Sequence, residues 1–561
     1  MPFNARRLNI QHVVHYALLT LGLFPLIVLL SACGGGGSSA GAAAPPVCAA
    51  GTTPAPGLVV TDFGAVQGSV VNGSYAFLGV PYAAPPLGAL RWQPPQDPVC
   101  WETTRQATTF TAGCIQKHFD QFSDAYTIEG SEDCLHLNVW TPAHYNGASR
   151  PVMVFIHGGG NQQGAASQET AGAILYDGAK LAERGDVVVV TIDYRLGPLG
   201  YLAHPALVDS GGHYGNWGLL DQIKALQWVN KHIARFGGDP ARVLVFGESG
   251  GAVDTCMLLV SPLADGLFSR AAMESGACVA KTLSTREVDS AGYIADLGCD
   301  TAPDTKACLQ ALDGAALVTP EQKPINAGLV TQTFGPAVDG WVLPIDPLTA
   351  LQEGNFNHVP FVIGSNSDET AISVPPNTVN RTMVLALFAV VPEPTRSELL
   401  AIYDPGAGVS LTIPSPEARA SFIRVTTDAQ FTCQARRVAM RAAQAAGQTQ
   451  PVYRYHFTHR LSGTLGDNYG AYHGFELFYV FQTIEDSSFA PLLTANDTAV
   501  EAHMLGYWTR FAASGDPNDT TAVAWPAYNN TDPYLTLAAT PVASAGLLTQ
   551  ACDLWDVVTA P

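Results

Sequence analysis

Two hydrophobic periods alternate along this chain. Short, apolar, β-branched runs at 151–156, 187–192, 242–246, 360–363 and 452–457 read as buried strands. Between Trp217 and Phe236 the apolar residues Leu219, Ile223, Leu226, Val229 and Ile233 recur at steps of three and four, which predicts an amphipathic helix. The run 252–260 lacks Pro and Gly and predicts a second helix directly after the 242–246 strand. Upstream, apolar stretches in 58–78 are broken by Asp62, Gly64, Gly68 and Asn72-Gly73, a pattern that predicts a small antiparallel meander. The segment 132–140 carries an alternating strand. Strands interleaved with helical patterns predict an α/β fold, with a mostly parallel sheet covered by helices on both faces. Neither an internal repeat nor a second domain linker interrupts this pattern.

Composition adds limits. The 561 residues are 47% hydrophobic, enough for a large core. With 28 Lys and Arg against 48 Asp and Glu, the formal charge is −20, which speaks against nucleic acid and against electrostatic attachment to anionic lipid. The first 33 residues read as an export signal: Arg6 and Arg7 precede an apolar stretch at 16–30, which contains Pro25. It ends in Leu30-Ser31-Ala32-Cys33, which resembles the bacterial lipobox. That resemblance implies cleavage before Cys33, acylation of Cys33 and, with Gly34 next, attachment to the outer membrane on its periplasmic or surface side. Plain secretion is the alternative. Three segments are therefore expected: a lipoprotein signal peptide at 1–32, a Gly/Ala/Pro-rich tether at 33–56, and one catalytic domain at 57–561. Of 11 cysteines, setting Cys33 aside leaves an even ten, which in an oxidising compartment reads as disulfides. No cysteine or histidine spacing suggests zinc, and no metal or organic cofactor is expected.

The candidate chemistry centres on Gly247-Glu248-Ser249-Gly250-Gly251, between the 242–246 strand and the 252–260 helix. A strand, a turn crowded with glycine and a helix form the context of a nucleophile elbow, which presents the Ser249 hydroxyl above the sheet. A phosphate-binding loop or an ordinary turn fits the same five residues. A serine hydroxyl needs a base, and the base needs an orienting acid. Among 14 histidines, His473 stands out: Gly474 leaves its ring room, and Tyr472 and Phe475 would exclude water. The acid should follow a strand after the elbow, where Asp368-Glu369 follows 361–363; the residues alone do not choose between the two carboxylates. His157-Gly158-Gly159-Gly160 follows the 151–156 strand, where backbone N–H groups could meet a developing oxyanion.

Three blocks carry a resemblance across most of the chain from Leu58 onward: 236–240 running into the elbow, Glu132-Asp133-Cys134-Leu135, and 77–92. Together they resemble the type-B carboxylesterases, the cholinesterase-like branch of the α/β-hydrolases. His136 departs slightly, where that family more often has Tyr or Thr. The resemblance implies the α/β-hydrolase fold and a serine carboxylesterase working through an acyl-enzyme. It implies a catalytic set of Ser249, Glu369 and His473, an oxyanion hole from the N–H groups of Gly159, Gly160 and Gly250, and supporting places for Glu248 and Ser275. It also implies ion pairs Arg91–Glu132 and Arg195–Asp221, and disulfides Cys114–Cys134, Cys299–Cys308 and Cys433–Cys552. The remaining cysteines then give Cys48–Cys100 and Cys256–Cys278.

The expected partner is a small-molecule ester, with no nucleic acid and with membrane contact only through the N-terminal anchor. Oligomeric state is not legible. Two rival functions share the scaffold. One is a catalytically dead surface-binding or adhesion module, which the intact Ser, acid, His and glycine set opposes. The other is an amidase or polyester hydrolase using the same residues. Cholinesterases carry a Trp as a cation platform before the Ser131-Glu132 block; here 119–130 offers Phe119, Phe122 and Tyr126 but no Trp, so a choline ester is not expected.

Overall fold

A computed structural model of the chain describes residues 56–120, 125–144, 149–320 and 333–559. The expected signal peptide, the tether, Cys33, Cys48 and Phe122 lie outside them. The described residues belong to one compact unit, Val47–Pro561.

Eleven strands build the central sheet: β1 Ser69–Val71, β2 Ser74–Pro81, β3 His136–Pro142, β4 Arg150–Ile156, β5 Val188–Ile192, β6 Gly238–Glu248, β7 Arg270–Glu274, β8 Phe361–Asn366, β9 Val452–Phe457, β10 Pro533–Leu537 and β11 Val542–Ala545. Their order across the sheet is β11-β10-β9-β8-β7-β6-β4-β5-β3-β2-β1. The run from β5 through β4 to β10 is parallel throughout. Antiparallel strands close both sides, with β3 on β5 at one end and β11 on β10 at the other.

The parallel strands are apolar on both faces because each face has its own core. Val152, Val154 and Ile156 of β4, with Val243 and Val245 of β6, enter one cluster. Their neighbours Met153, Phe155, Leu244 and Phe246 enter the other. Period-two alternation thus sorts one apolar run into two cores. On the first face lie α2 Trp217–His232 and α3 Gly250–Val260; on the second lie α1 Ala179–Gly185 and the later helix α6 Ala495–Ser514. Trp217 to Phe236 matches its predicted period, though the last turn, Ile233–Phe236, tightens to a 3₁₀ helix.

Two sequence expectations change. The 58–78 meander is divided between two sheets: Leu58–Val60 pairs with Ala65–Gln67 apart from the central sheet, whereas β1 and β2 join it. The break falls at Gly68, where a Cβ would lie 2.6 Å from the Ala76 carbonyl oxygen. Strand β3 is buried at every position rather than on one face, because its polar Asn138 is satisfied internally by Thr191 Oγ1 and the Gly79 N–H.

The structure holds four disulfides among the described residues: Cys114–Cys134, Cys256–Cys278, Cys299–Cys308 and Cys433–Cys552. Cys100 is also disulfide-bonded, while its expected partner Cys48 lies outside the described residues. Cys433 opens helix α5 Cys433–Gln444, and Cys552 sits in the C-terminal helix α7 Thr549–Thr559. This bridge spans 119 residues and ties α7 to a third core cluster containing Phe388, Tyr403 and Trp555. Replacing both cysteines by serine is expected to cost about 2–5 kcal/mol. A thermal melt should show the loss. An unchanged melting temperature would refute this.

The expected ion pairs are present. Arg91 meets Glu132 through two hydrogen bonds of 2.8 and 2.7 Å, and Arg195 meets Asp221 through two of 2.7 Å. Both are bidentate, Arg195–Asp221 buried and Arg91–Glu132 half-buried, and they fix loops at the same sheet end as the elbow.

Candidate active site

The site forms where neighbouring parallel strands end. Ligands bind at the carboxyl ends of such strands, where loops leave the sheet on either face. β4 ends at Ile156 and runs into His157–Gly160; β6 ends at Glu248 and β7 at Glu274; β8 ends at Asn366, three residues before Glu369. The register places Glu248 beside Glu274 and Gly247 beside Ile156.

Ser249 follows β6 immediately and caps the N-terminus of α3. Its backbone lies at φ 55° and ψ −118°, a conformation costly for a residue with a Cβ. The Ser249 N–H donates to the Glu274 carbonyl at 2.9 Å, which holds the turn. Glycine is required on both flanks. A Cβ at Gly247 would come within 2.4 Å of the Gly251 carbonyl oxygen, and one at Gly251 within 1.9 Å of the Ile156 carbonyl oxygen. The resulting serine is partly exposed, unlike the buried residues on either side of it.

The glycine loop packs against this elbow. A Cβ at Gly250 would lie 2.8 Å from the Gly160 nitrogen, and one at Gly158 3.1 Å from the Ser249 Cβ. Gly159 and Gly160 adopt φ values of 96° and 63°. Among the described residues, the N–H groups of Gly159, Gly160 and Gly250 donate to no protein acceptor. Backbone donors in such a setting are rarely left without a partner, so three converging near one serine mark a place for an anion or polarised oxygen. The loop is held from behind. Asn161 Nδ2 donates to Asp254 Oδ1 at 2.9 Å, Tyr201 Oη donates to Asn161 Oδ1 at 3.2 Å, and Gln116 pairs with both backbone groups of Gly164. His157 stays neutral, its pKa pushed down to about 4 by burial, and stacks on Tyr194 with ring centroids 4.5 Å apart.

Glu369 and His473 meet directly. His473 Nδ1 lies 2.6 Å from Glu369 Oε2, and the His473 N–H donates to the Glu369 carbonyl at 3.1 Å. The other carboxylate oxygen, Oε1, accepts the Asn366 N–H at 2.7 Å. Asp368 turns elsewhere: its Oδ2 accepts from Ala471 N–H at 3.1 Å and from Ser367 Oγ at 2.6 Å. Geometry therefore separates two carboxylates that the residues alone leave open. On its far side, His473 Nε2 lies 3.2 Å from Glu248 Oε1, and the ring packs tilted against Phe431 at 5.0 Å. Burial alone would lower the His473 pKa; the flanking carboxylates of Glu248 and Glu369 outweigh it and raise the pKa to about 10. Burial raises Glu248 to about 7, opposed by His473 and reinforced by Glu369.

Sequence reasoning places Ser249, Glu369, His473, Gly159, Gly160, Gly250 and Glu248 in one neighbourhood, and the structure brings all seven together. Ser275 lies close by, with its N–H donating to Gly364 at 3.0 Å, but its hydroxyl has no partner among the described residues. Tyr472 and Phe475, expected to exclude water beside His473, are buried in the second core. Sequence reading missed Asn366, Glu274, Glu476 and Phe431. Glu476 stands three residues after His473, and a buried carboxylate so near a base was a signal within reach. Phe431 carried none, because it approaches His473 from a π-turn at Asp428–Thr432 that interrupts two helices.

A strained serine between sheet and helix, a carboxylate-bound histidine and three free N–H groups, set at the ends of parallel strands, place the protein in the α/β-hydrolase class. The family model "Carboxylesterase family" matches residues 55–555, and the chain belongs to that family. It is 33% identical over 542 residues to cocaine esterase of Homo sapiens, covering 90% of this chain and 92% of that protein. It is 34% identical over 480 residues to para-nitrobenzyl esterase of Bacillus subtilis (strain 168), covering 84% and 92%. A solved structure titled PNB esterase superposes with a TM-score of 0.75 at 32% identity, covering 89% of this chain and all of that one. The fold is thus an α/β-hydrolase, and the activity is carboxylic ester hydrolysis.

Proposed function

We propose that the chain hydrolyses carboxylic esters through an acyl-enzyme built on Ser249. Ser249 Oγ attacks the ester carbonyl while His473 Nε2 takes its proton. Glu369 fixes the ring through Nδ1 and stabilises the imidazolium. The N–H groups of Gly159, Gly160 and Gly250 receive the oxyanion, each worth about 10²–10³ in kcat. The protonated histidine then returns its proton to the leaving alcohol. A water deprotonated by the same histidine releases the acid. The observation that carries this reading is the 2.6 Å bond between His473 and buried Glu369 beside a strained, accessible serine.

The proposal gives Glu248 a part. In the resting enzyme the His473 Nε2 rests by Glu248, and it transfers to Ser249 Oγ as substrate binds. Such bonds often tighten only in the substrate complex. The Glu248 carboxylate is the foremost group raising the His473 pKa. Glu248→Gln should therefore lower that pKa and move the acid limb of the kcat/KM–pH profile to lower pH. An acid limb that stays in place would contradict this role.

For the substrate we propose a medium or aromatic acyl ester. For location we propose export with cleavage before Cys33 and a lipid anchor on that residue, supported by the lipobox-like Leu30-Ser31-Ala32-Cys33. Fluorophosphonate labelling of the fragment beginning after Cys33, followed by an ester panel varying acyl length and alcohol, tests the catalytic reading. Stoichiometric labelling at Ser249 with turnover of esters is expected; an unlabelled folded protein would overturn it.

A further inference from the structure

Glu369 and His473 come from separate loops, after β8 and β9, so something must hold the two loops in register. Their own contacts are the carboxylate–imidazole bond and one backbone bond. Asn366, the last residue of β8, adds one bond within the first loop and two that cross to the second. Its backbone N–H donates to Glu369 Oε1 at 2.7 Å. Its side-chain Nδ2 donates to the carbonyl of Tyr472, the residue before His473, at 2.9 Å. The same nitrogen donates to Glu476 Oε2, three residues after His473. Asn366, Glu369 and Glu476 are all buried, so none of these bonds competes with solvent. One asparagine thus grips the acid with its backbone and both flanks of the histidine segment with its amide.

We propose that Asn366 is the positioning residue that sets the Glu369–His473 geometry, a role that rests on the triad reading above. Only an amide fits the place. Nδ2 faces two acceptors, the Tyr472 carbonyl oxygen and Glu476 Oε2, and needs two N–H bonds on one atom. An aspartate there would set an oxygen against the Tyr472 carbonyl and add an acidic group beside Glu476, whose pKa burial and neighbouring carboxylates already hold well above the usual range. The backbone bond to Glu369 survives any substitution except proline, so a side-chain variant isolates the hold on the histidine segment.

The test compares kcat and KM of Asn366→Asp, Asn366→Ala and the double variant Asn366→Asp/Glu476→Gln. Asn366→Asp is expected to lose about 10- to 100-fold in kcat with KM within about threefold, because the histidine segment shifts while the ester pocket does not. The double variant is expected to recover about tenfold of that loss. In it, a glutamine amide at position 476 can turn its N–H₂ toward the carboxylate at position 366 and restore one bond with donor and acceptor exchanged. Asn366→Ala, which adds no charge, is expected to lose about tenfold in kcat and serves if Asn366→Asp does not fold. Folded variants with wild-type kcat, or a loss that the double variant leaves unchanged, would overturn the positioning role. Ser249→Ala in the same assay keeps the two readings apart. Turnover surviving there sinks the triad itself, whereas wild-type kcat in the Asn366 variants with Ser249 indispensable sinks only the role given to Asn366.

Discussion

Ser249→Ala is expected to lower kcat for p-nitrophenyl acetate by on the order of 10⁴–10⁶, with substrate affinity nearly intact. The hydroxyl is the only nucleophile placed by the elbow, and alanine removes it without disturbing the turn. The strained backbone tolerates the change, because the φ of 55° is imposed by the packing of Gly247 and Gly251 rather than by the serine side chain. The residual rate should come from the three free N–H groups and from binding, since donors without a nucleophile still polarise the ester carbonyl. Purified Ser249→Ala protein that turns over the ester within about tenfold of the wild type would remove Ser249 from the mechanism and, with it, the roles given to His473 and Glu369.

The second large effect separates adjacent carboxylates. Glu369→Gln is expected to reduce kcat by about 10³–10⁴, because a neutral amide at 2.6 Å from Nδ1 neither stabilises the imidazolium nor enforces the tautomer that leaves Nε2 free to accept a proton. Asp368→Asn should cost less than about tenfold, since Asp368 holds Ala471 N–H and the Ser367 hydroxyl rather than the ring. Steady-state kinetics of the pair decide the matter. Equal losses in both variants, or the larger loss at Asp368, would reassign the acid. The contrast matters because the two candidates are adjacent in sequence, yet one faces His473 and the other the loop preceding it.

The His473 environment gives Glu248 a direct influence on the base. An imidazole held between Glu369 and Glu248 gains stability as a cation, so at rest it keeps its proton well above the ordinary histidine range. A general base must surrender that proton before it can serve. In the proposed mechanism, substrate entering beside Ser249 draws Nε2 from Glu248, which weakens the foremost cause of the raised pKa at the moment a base is needed. The acid-limb shift expected for Glu248→Gln reads that coupling directly, because kcat/KM reports the free enzyme.

Much of this was written into local sequence. The apolar runs fixed the strands because a buried parallel strand needs no polar alternation, and the steps of three and four in Trp217–His232 fixed a helix in the same way. The glycines around Ser249 and the 158–160 loop were legible because tight turns and close backbone approach admit little else. Other features required the assembled fold. Nothing local distinguishes Asp368 from Glu369; the register of β8 on β9 and the contact of its following turn with the 471–473 loop do so. The division of the 58–78 strands between two sheets depended on packing around Gly68, not on the turn signals that predicted their hairpins. Asn366, Glu274, Glu476 and Phe431 look ordinary along the chain, and they gain meaning only when segments far apart in sequence lie side by side. Sequence sets which backbone shapes and chemical groups are available, since those are local steric and polar properties. Tertiary packing alone decides which groups share a desolvated space, and charge and hydrogen bonding there depend on neighbours that the linear order does not name.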